Sequence, residues 1–250
     1  MTIAIMIAAI VIGSGLSLTG GMILLGVRKY REIALILTMP FGAGALLAAA
    51  YFDLLPEAFE QISIDSALMY CLVGFIVFFL LERMAGWFHH HHSHSHDKHD
   101  KNVSQRRLIV VGDVMHNAID GLAIGASFLV SVPLGIITTL AVSSHEIPKE
   151  LGTFAMLMSK GWHNKKVVLA NVLSAIATLV SAIGIYLLGD ATTGIVGPLL
   201  ALTAGFFIYV AASDIIPDIH EQPRKTGTVQ AAALVAGVVI VGIVIELLGV

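Results

Sequence analysis

Long apolar runs separated by short polar stretches make up almost the whole chain. Apolar segments can be drawn at about residues 2–26, 33–59, 66–88, 106–130, 133–158, 166–188, 194–218 and 228–249. As a helix, each is long enough to cross about 30 Å of hydrocarbon. The pattern predicts an all-α polytopic membrane bundle of eight transmembrane helices, with residues 1–250 forming one transmembrane domain. The first stretch, MTIAIMIAAIVIGSGLSL, lacks the positive n-region of a signal peptide and flows into a span-length segment, so it is expected to remain as the first helix.

Two of these segments carry polar residues where the pattern asks for apolar ones. In VMHNAIDGLAIGAS (114–127), His116 and Asp120 are four residues apart. On a helix they lie within about 40° of one another, with Asn117 on the same flank at about 100°. In SSHEIPKELG (143–152), His145 and Lys149 repeat that spacing and Glu146 takes the place of Asn117. Two such helices facing one another would present a mixed imidazole and carboxylate cluster, which suits zinc and its first-row neighbours better than calcium or magnesium. Ionisable groups inside a span mark a functional site by default; interhelical hydrogen-bond glue is the plainer reading of Asn and His there. Asp113, one turn before His116, reads either as an acceptor orienting that imidazole or as a residue lining the cytoplasmic path. Glu150 reads either as a counter-charge to Lys149 or as part of a transport route.

Composition agrees with the membrane reading: 57% of residues are hydrophobic and 12% charged, with a mean hydropathy of +0.89. The lone Cys71 can form no internal disulfide and builds no metal site. The net charge of −3 averages over loops facing opposite compartments and decides little. The distribution of the 14 Lys and Arg residues decides more. They cluster after the first, third, fifth and seventh segments, which makes those loops cytoplasmic and both termini extracytoplasmic. Lys149 alone departs from this, falling near the middle of the fifth segment, where an ammonium needs anionic partners or water.

Gly44–Glu60 (GALLAAAYFDLLPEAFE) laid over Gly205–Glu221 (GFFIYVAASDIIPDIHE) matches Asp53, Pro56, Glu57 and Glu60 with Asp214, Pro217, Asp218 and Glu221. The two segments are the second and seventh, so they cross in opposite directions. This reads as an inverted repeat, arranged three, two and three, of the kind that lets transporters rock about a midplane site. Pro56, Pro148 and Pro217 are expected to kink their helices. Asp53, Glu57 and Glu60, toward the outer end of the second helix, and Asp214, Asp218, His220 and Glu221, toward the inner end of the seventh, read as the mouth and exit of a cation path or as ordinary interfacial groups.

The stretch 89–104 reads as a His-rich cytoplasmic loop. His89, His90, His91, His92, His94, His96 and His99 would bind zinc, nickel or copper loosely; a solvated linker or an inserted tag is the alternative.

Taken together, HNAIDGLAIGAS, HEIPKELG, LLPEA (54–58), NVLSA (171–175) and the His-rich loop resemble the ZIP (Zrt-, Irt-like) divalent-metal transporters over essentially the whole length. The resemblance implies eight helices in a 3+2+3 inverted repeat, a plasma-membrane location (the inner membrane in a bacterium), and metal movement into the cytoplasm. It also implies a midplane site, often with two adjacent metal positions, to which His116, Asn117, Asp120, His145 and Glu146 correspond. Zinc is the first expectation for the transported substrate, with iron, manganese or cadmium accepted by the same ligand types. No organic cofactor and no nucleic-acid partner are expected; metal ions and membrane lipid are, and a homodimer stays open. Three positions depart from the family pattern. Lys149 stands where many members carry a second histidine, Thr153 where an aspartate follows the glycine, and Asp53 where a histidine often precedes LLPE. A protonated lysine cannot ligate, so one metal held by His116, Asp120 and His145, with Glu146 or water, is expected. The rival reading is an intramembrane zinc protease, because His145 and Glu146 begin an HExxH pattern; its second histidine is replaced by Lys149. A metal buffer using only the His loop would leave the buried cluster unexplained.

Overall fold

The computed structural model describes residues 1–26, 28–91, 98–189 and 194–248, and leaves the side chains at 21, 23–34, 84–91, 98–105, 108, 148, 155, 159 and 214 outside the description. Among the described residues the fold is all helix. In chain order the elements are α1 (Thr2–Gly26), α2 (Arg28–Ala49), a π segment (Ala50–Leu54), α3 (Leu55–Gln61), α4 (Ile64–His91), α5 (Lys98–Val130), α6 (Val132–Ser159) and α7 (Asn164–Leu187). They continue with α8 (Val196–Val210), a second π segment (Ala211–Ile215), α9 (Ile216–Glu221) and α10 (Arg224–Leu248). Seven stretches among the described residues are long and apolar enough to cross a membrane. α6, with 28 residues, has the length as well, but His145, Glu146, Lys149 and Glu150 lower its apolarity in the middle.

The expected second and seventh spans each form, but broken, and the breaks share one design. In each, five residues of π-helix precede a short helix with proline in its first turn. The cause is local. Pro56 and Pro217 have no N–H and crowd the carbonyl four residues back, at Phe52 and Ser213. Widening the turn by one residue removes the crowding, and the amides of Leu55 and Ile216 then bond to the carbonyls of Ala50 and Ala211, five residues earlier. The two π segments start 161 residues apart, which is also the separation of Pro56 from Pro217. Through Pro148, α6 runs as one continuous α-helix, without the π turn found at Pro56 and Pro217.

Small residues set the packing, as they must where lipid is as apolar as the interface. α2 lies against α10 and α8 against α4, while α1 packs on α6 and α7 on α5. At Gly44 the backbone of α2 touches the Leu234 carbonyl of α10, and Gly237 of α10 returns the contact against the Phe41 carbonyl. Gly205 and Gly74 make the equivalent close approach between α8 and α4. The core between these pairs is closed by Met6, Leu46, Leu54, Ile124, Phe128, Leu134, Leu200 and Phe207.

α4 runs to His91 and α5 begins at Lys98, so helix extends into both ends of the stretch read from sequence as a loop. His, Lys and Asp have ordinary helix propensity, and nothing forces a helix to stop where its apolar part ends. His92, His94 and His96 lie outside the described residues, as do the side chains of His89, His90, His91 and His99.

The glycine contacts give a direct test. Gly44→Val places methyl groups against α10 backbone that cannot move aside, and is expected to cost about 2 kcal/mol or more. Gly152→Ala, where an added Cβ meets nothing within 4 Å, is expected to be neutral or stabilising. Thermal melts of the two detergent-solubilised variants beside wild type check this.

Candidate metal centre

α5 and α6 are joined by the single residue Ser131, whose hydroxyl caps α6 by accepting from the Leu134 amide at 3.2 Å. So tight a connection forces the two helices to run back alongside one another, which brings the polar stretch of each to the same level. His116 Nε2 lies 3.3 Å from His145 Nε2 and 3.4 Å from Asp120 Oδ2, and Asp120 Oδ2 lies 3.7 Å from His145 Nε2. A tetrahedral ion bound at about 2.0–2.1 Å has ligand atoms separated by about 3.3–3.4 Å. The triangle of two imidazole nitrogens and one carboxylate oxygen therefore has nearly the dimensions of one face of such a polyhedron. Glu146 completes a group of four whose ligand atoms all fall within 4.8 Å.

Neighbours hold the donors in place. His145 Nδ1 faces the Ala141 carbonyl at 3.4 Å; an N–H donated there leaves Nε2 with its lone pair toward the triangle. His116 is braced from α4 by Phe78, edge to face with ring centroids 5.5 Å apart. Behind His145, the backbone of α2 comes so close that a Cβ on Gly42 would stand 2.8 Å from the His145 Cα. The group is buried: His145, Asp120 and Glu146 are each at most 7% exposed.

Asn117 is turned to a different task. Its Nδ2 donates to the Asp113 carbonyl at 3.0 Å, and its Oδ1 accepts from Thr178 Oγ1 of α7 at 2.9 Å. Lys149 Nζ donates to Glu146 Oε1 at 2.6 Å and lies 3.2 Å from Asp113 Oδ1. Of the partners expected for this ammonium, Glu146 is found, whereas Asp120 and Glu150 make no such contact among the described residues. Asp113, read from sequence as an imidazole acceptor or a path residue, is its second partner. The spacing of residues along α5 and α6 carries no information on that cross-helix pair, nor on Thr178, whose only sequence signal is being a hydroxyl on a helix that also holds Asn171 and Ser174.

The remaining expected residues lie apart from this group. Asp53 is 2% exposed in the first π segment, and neither carboxylate oxygen has a hydrogen-bond partner among the described residues. Glu57, one turn on, accepts from Gln61 at 3.0 Å. Glu150 is buried with Oε2 unpartnered among the described residues, as is the amide of Asn171. Asp218, His220 and Glu221 are exposed on α9; Asp214 lies in the second π segment with its side chain outside the described residues.

An all-α bundle of spanning helices, with an imidazole and carboxylate group buried where two of them run side by side, defines a polytopic membrane protein with the donor set of a first-row metal site. The sequence profile of the ZIP zinc transporters matches residues 2–108 and 105–245, and the chain belongs to that family. It is 43% identical to human zinc transporter ZIP6 over 122 residues, 48% of this chain and 16% of that protein. Over 112 residues it is 40% identical to zinc transporter ZIP10 of Danio rerio (45% of this chain, 13% of the relative). Over 133 residues it is 35% identical to zinc transporter foi of Drosophila melanogaster (52% and 19%). The matched parts are thus less than a fifth of each of these relatives. The family is one of transporters rather than enzymes. The protease pattern, too, lacks its second histidine, and the Glu that would act as base is bound to the lysine standing there.

The link between Thr178 and Asn117 can be tested by itself. Thr178→Val leaves the buried Asn117 oxygen without its donor and is expected to destabilise the protein by about 1 kcal/mol, whereas Thr178→Ser keeps the hydroxyl and stays near wild type. Melting temperatures in detergent separate the two outcomes.

Proposed function

We propose that the protein carries divalent metal cations, zinc first among them, across the membrane into the cytoplasm. The observation that carries this reading is the triangle of His116 Nε2, His145 Nε2 and Asp120 Oδ2, with sides of 3.3, 3.4 and 3.7 Å. It sits near the middle of two helices otherwise built to span a membrane. Formal charge points the same way. Three carboxylates, Asp113, Asp120 and Glu146, stand with one ammonium, Lys149, leaving a surplus of two negative charges for a divalent cation to neutralise. That the matched relatives are named zinc transporters supports zinc as substrate; iron, manganese and cadmium accept the same donors.

In this reading His116, Asp120 and His145 are the ligands, Glu146 is a fourth when Lys149 releases it, and Asn117 stiffens α5 against α7. Asp53 and Glu57 line the outer approach, and Asp214, Asp218, His220 and Glu221 the inner one, with Asp113 and Glu150 between. The seven histidines from His89 to His99 form a cytoplasmic metal trap. The paired π segments and the reciprocal glycine contacts are the two halves of an inverted repeat, so that eight spans rock about a midplane site. The basic loops face the cytoplasm and the termini face out, in the plasma membrane or its bacterial counterpart.

Radiolabelled zinc uptake into proteoliposomes tests the reading. Asp120→Ala, reconstituted at equal protein, is expected to lose about 10-fold or more of the uptake rate, the scale on which metal sites respond to lost ligands and their supports. Uptake equal to wild type in that variant would remove Asp120 from the ion's path.

Lys149 gives a second test, read as stoichiometry. Its ammonium stands beside Glu146 where a second cation would otherwise bind, so the wild type with residues 89–99 deleted is expected to bind one zinc. Lys149→His supplies an imidazole one turn from His145 and is expected to bind two, or one more tightly. Calorimetry in detergent distinguishes these results, and two zinc ions in the lysine-containing protein would refute the assignment.

A further inference from the structure

A cavity of about 190 Å³ opens beside the metal centre, between α4 and α5. Its walls include Phe78 and Glu82 from α4, and Gly112, Met115 and His116 from α5. The contact of Phe78 with the His116 ring fixes the level at which the two helices meet. From that level Glu82 is four residues onward along α4, and Gly112 four residues back along α5. Because consecutive spans run in opposite directions, both stand about one turn, roughly 5–6 Å, nearer the end of the bundle that carries Arg83, Arg106 and Arg107. The cavity therefore leads from the His116 edge of the triangle toward the basic end. Gly112 borders open space, since a Cβ at that position would meet nothing within 4 Å.

Glu82 is anchored over this space. The hydroxyl of Tyr209, on α8, donates to its Oε2 at 2.5 Å, and the tyrosine ring packs against Phe75 and Phe78. A recess for a lipid chain needs only apolar walls. This one has an imidazole at one end and a tethered carboxylate one turn further on, and the volume suits an ion with part of its water.

We infer that the cavity is the passage by which the ion leaves the triangle, and that Glu82 receives it there, sharing it with His116 before it reaches the basic end. This rests on the transport reading above and adds to it a residue and a route on α4. Glu82 is set one turn along α4 from the Phe78 ring that touches His116, so that a cation exchanges ligands stepwise, without being stripped of all its donors in a low-dielectric interior.

The test uses the whole chain with Zn²⁺ as probe, measuring uptake into proteoliposomes and binding by calorimetry in detergent. Glu82→Gln keeps the shape and removes the charge; Gly112→Leu fills the passage; Glu82→Asp keeps the charge. Glu82→Gln and Gly112→Leu are expected to bind Zn²⁺ at the triangle within about 2-fold of wild type. Their uptake is expected to fall by about 10-fold or more, with most of it retained by Glu82→Asp. Uptake by Glu82→Gln close to wild type overturns the proposal and leaves the cavity a lipid-facing recess. So does equal loss in Glu82→Gln and Glu82→Asp, which would make Glu82 a packing residue. A wild type that takes up no zinc overturns the transport reading and this one with it, whereas a working wild type with an unaffected Glu82→Gln overturns this one alone.

Discussion

A charge inside hydrocarbon has to be met by other protein groups or by water, and that constraint organises the middle of this molecule. Lys149 is the clearest case: an ammonium halfway along α6 is tolerable because Glu146 and Asp113 are brought to 2.6 and 3.2 Å of it. To supply Asp113, α5 must lie beside α6 in one register, and that register also delivers His116 and Asp120 to His145. The ion pair and the imidazole and carboxylate group are thus two consequences of one helix alignment, held by the one-residue connection at Ser131. Elsewhere the same constraint is met locally. Thr139 and Ser174 return their hydroxyls to carbonyls four residues earlier, so polar side chains sit in apolar helices by bonding within their own helix.

The scaffold around this centre solves a different problem, that of irregular backbone in a bilayer. Proline cannot be placed in a span unless the carbonyls it frees are satisfied, and at Pro56 and Pro217 the chain answers with a π turn, whereas Pro148 sits in a continuous α6. The extra residue alters which face the following side chains present. Asp53 falls inside the first such turn and is buried without a partner among the described residues. Glycine contacts at α2 with α10 and at α8 with α4 then clamp the two interrupted spans to continuous helices.

The parts of this arrangement that were legible in the sequence follow from what a single helix can encode. Runs of apolar residues place α1, α4, α7 and α10, and the four-residue spacing puts His116 and Asp120 on one face. What one helix cannot encode is the identity of its partner across an interface. Asp113 with Lys149, Asn117 with Thr178 and Glu82 with Tyr209 are all pairs between helices, separated by 36 to 127 positions, and none follows from local periodicity. Asn117 shows the consequence. By its angle on α5 it belongs with His116, yet its amide bonds to the Asp113 carbonyl and to the Thr178 hydroxyl on α7. The loop histidines illustrate a second limit, since hydrophilic composition marks the end of a span but not the end of a helix, and α4 and α5 both continue past their apolar parts.

The proposed chemistry also sets a limit on how good the site should be. Zinc sites that serve structure are closed by four protein ligands, and those that must exchange their fourth partner keep a position open. A carrier belongs with the second kind, because an ion bound too well does not leave. Here the triangle supplies three donors, and the nearest fourth, Glu146, has one carboxylate oxygen committed to Lys149 at 2.6 Å. A cation entering the triangle would compete with that ammonium for the carboxylate, and the cost of drawing Glu146 away would be set against the gain of a fourth ligand. On the transport reading, the lysine keeps the site three-coordinate on the protein side and leaves the remaining position to water or to the next ligand along the path.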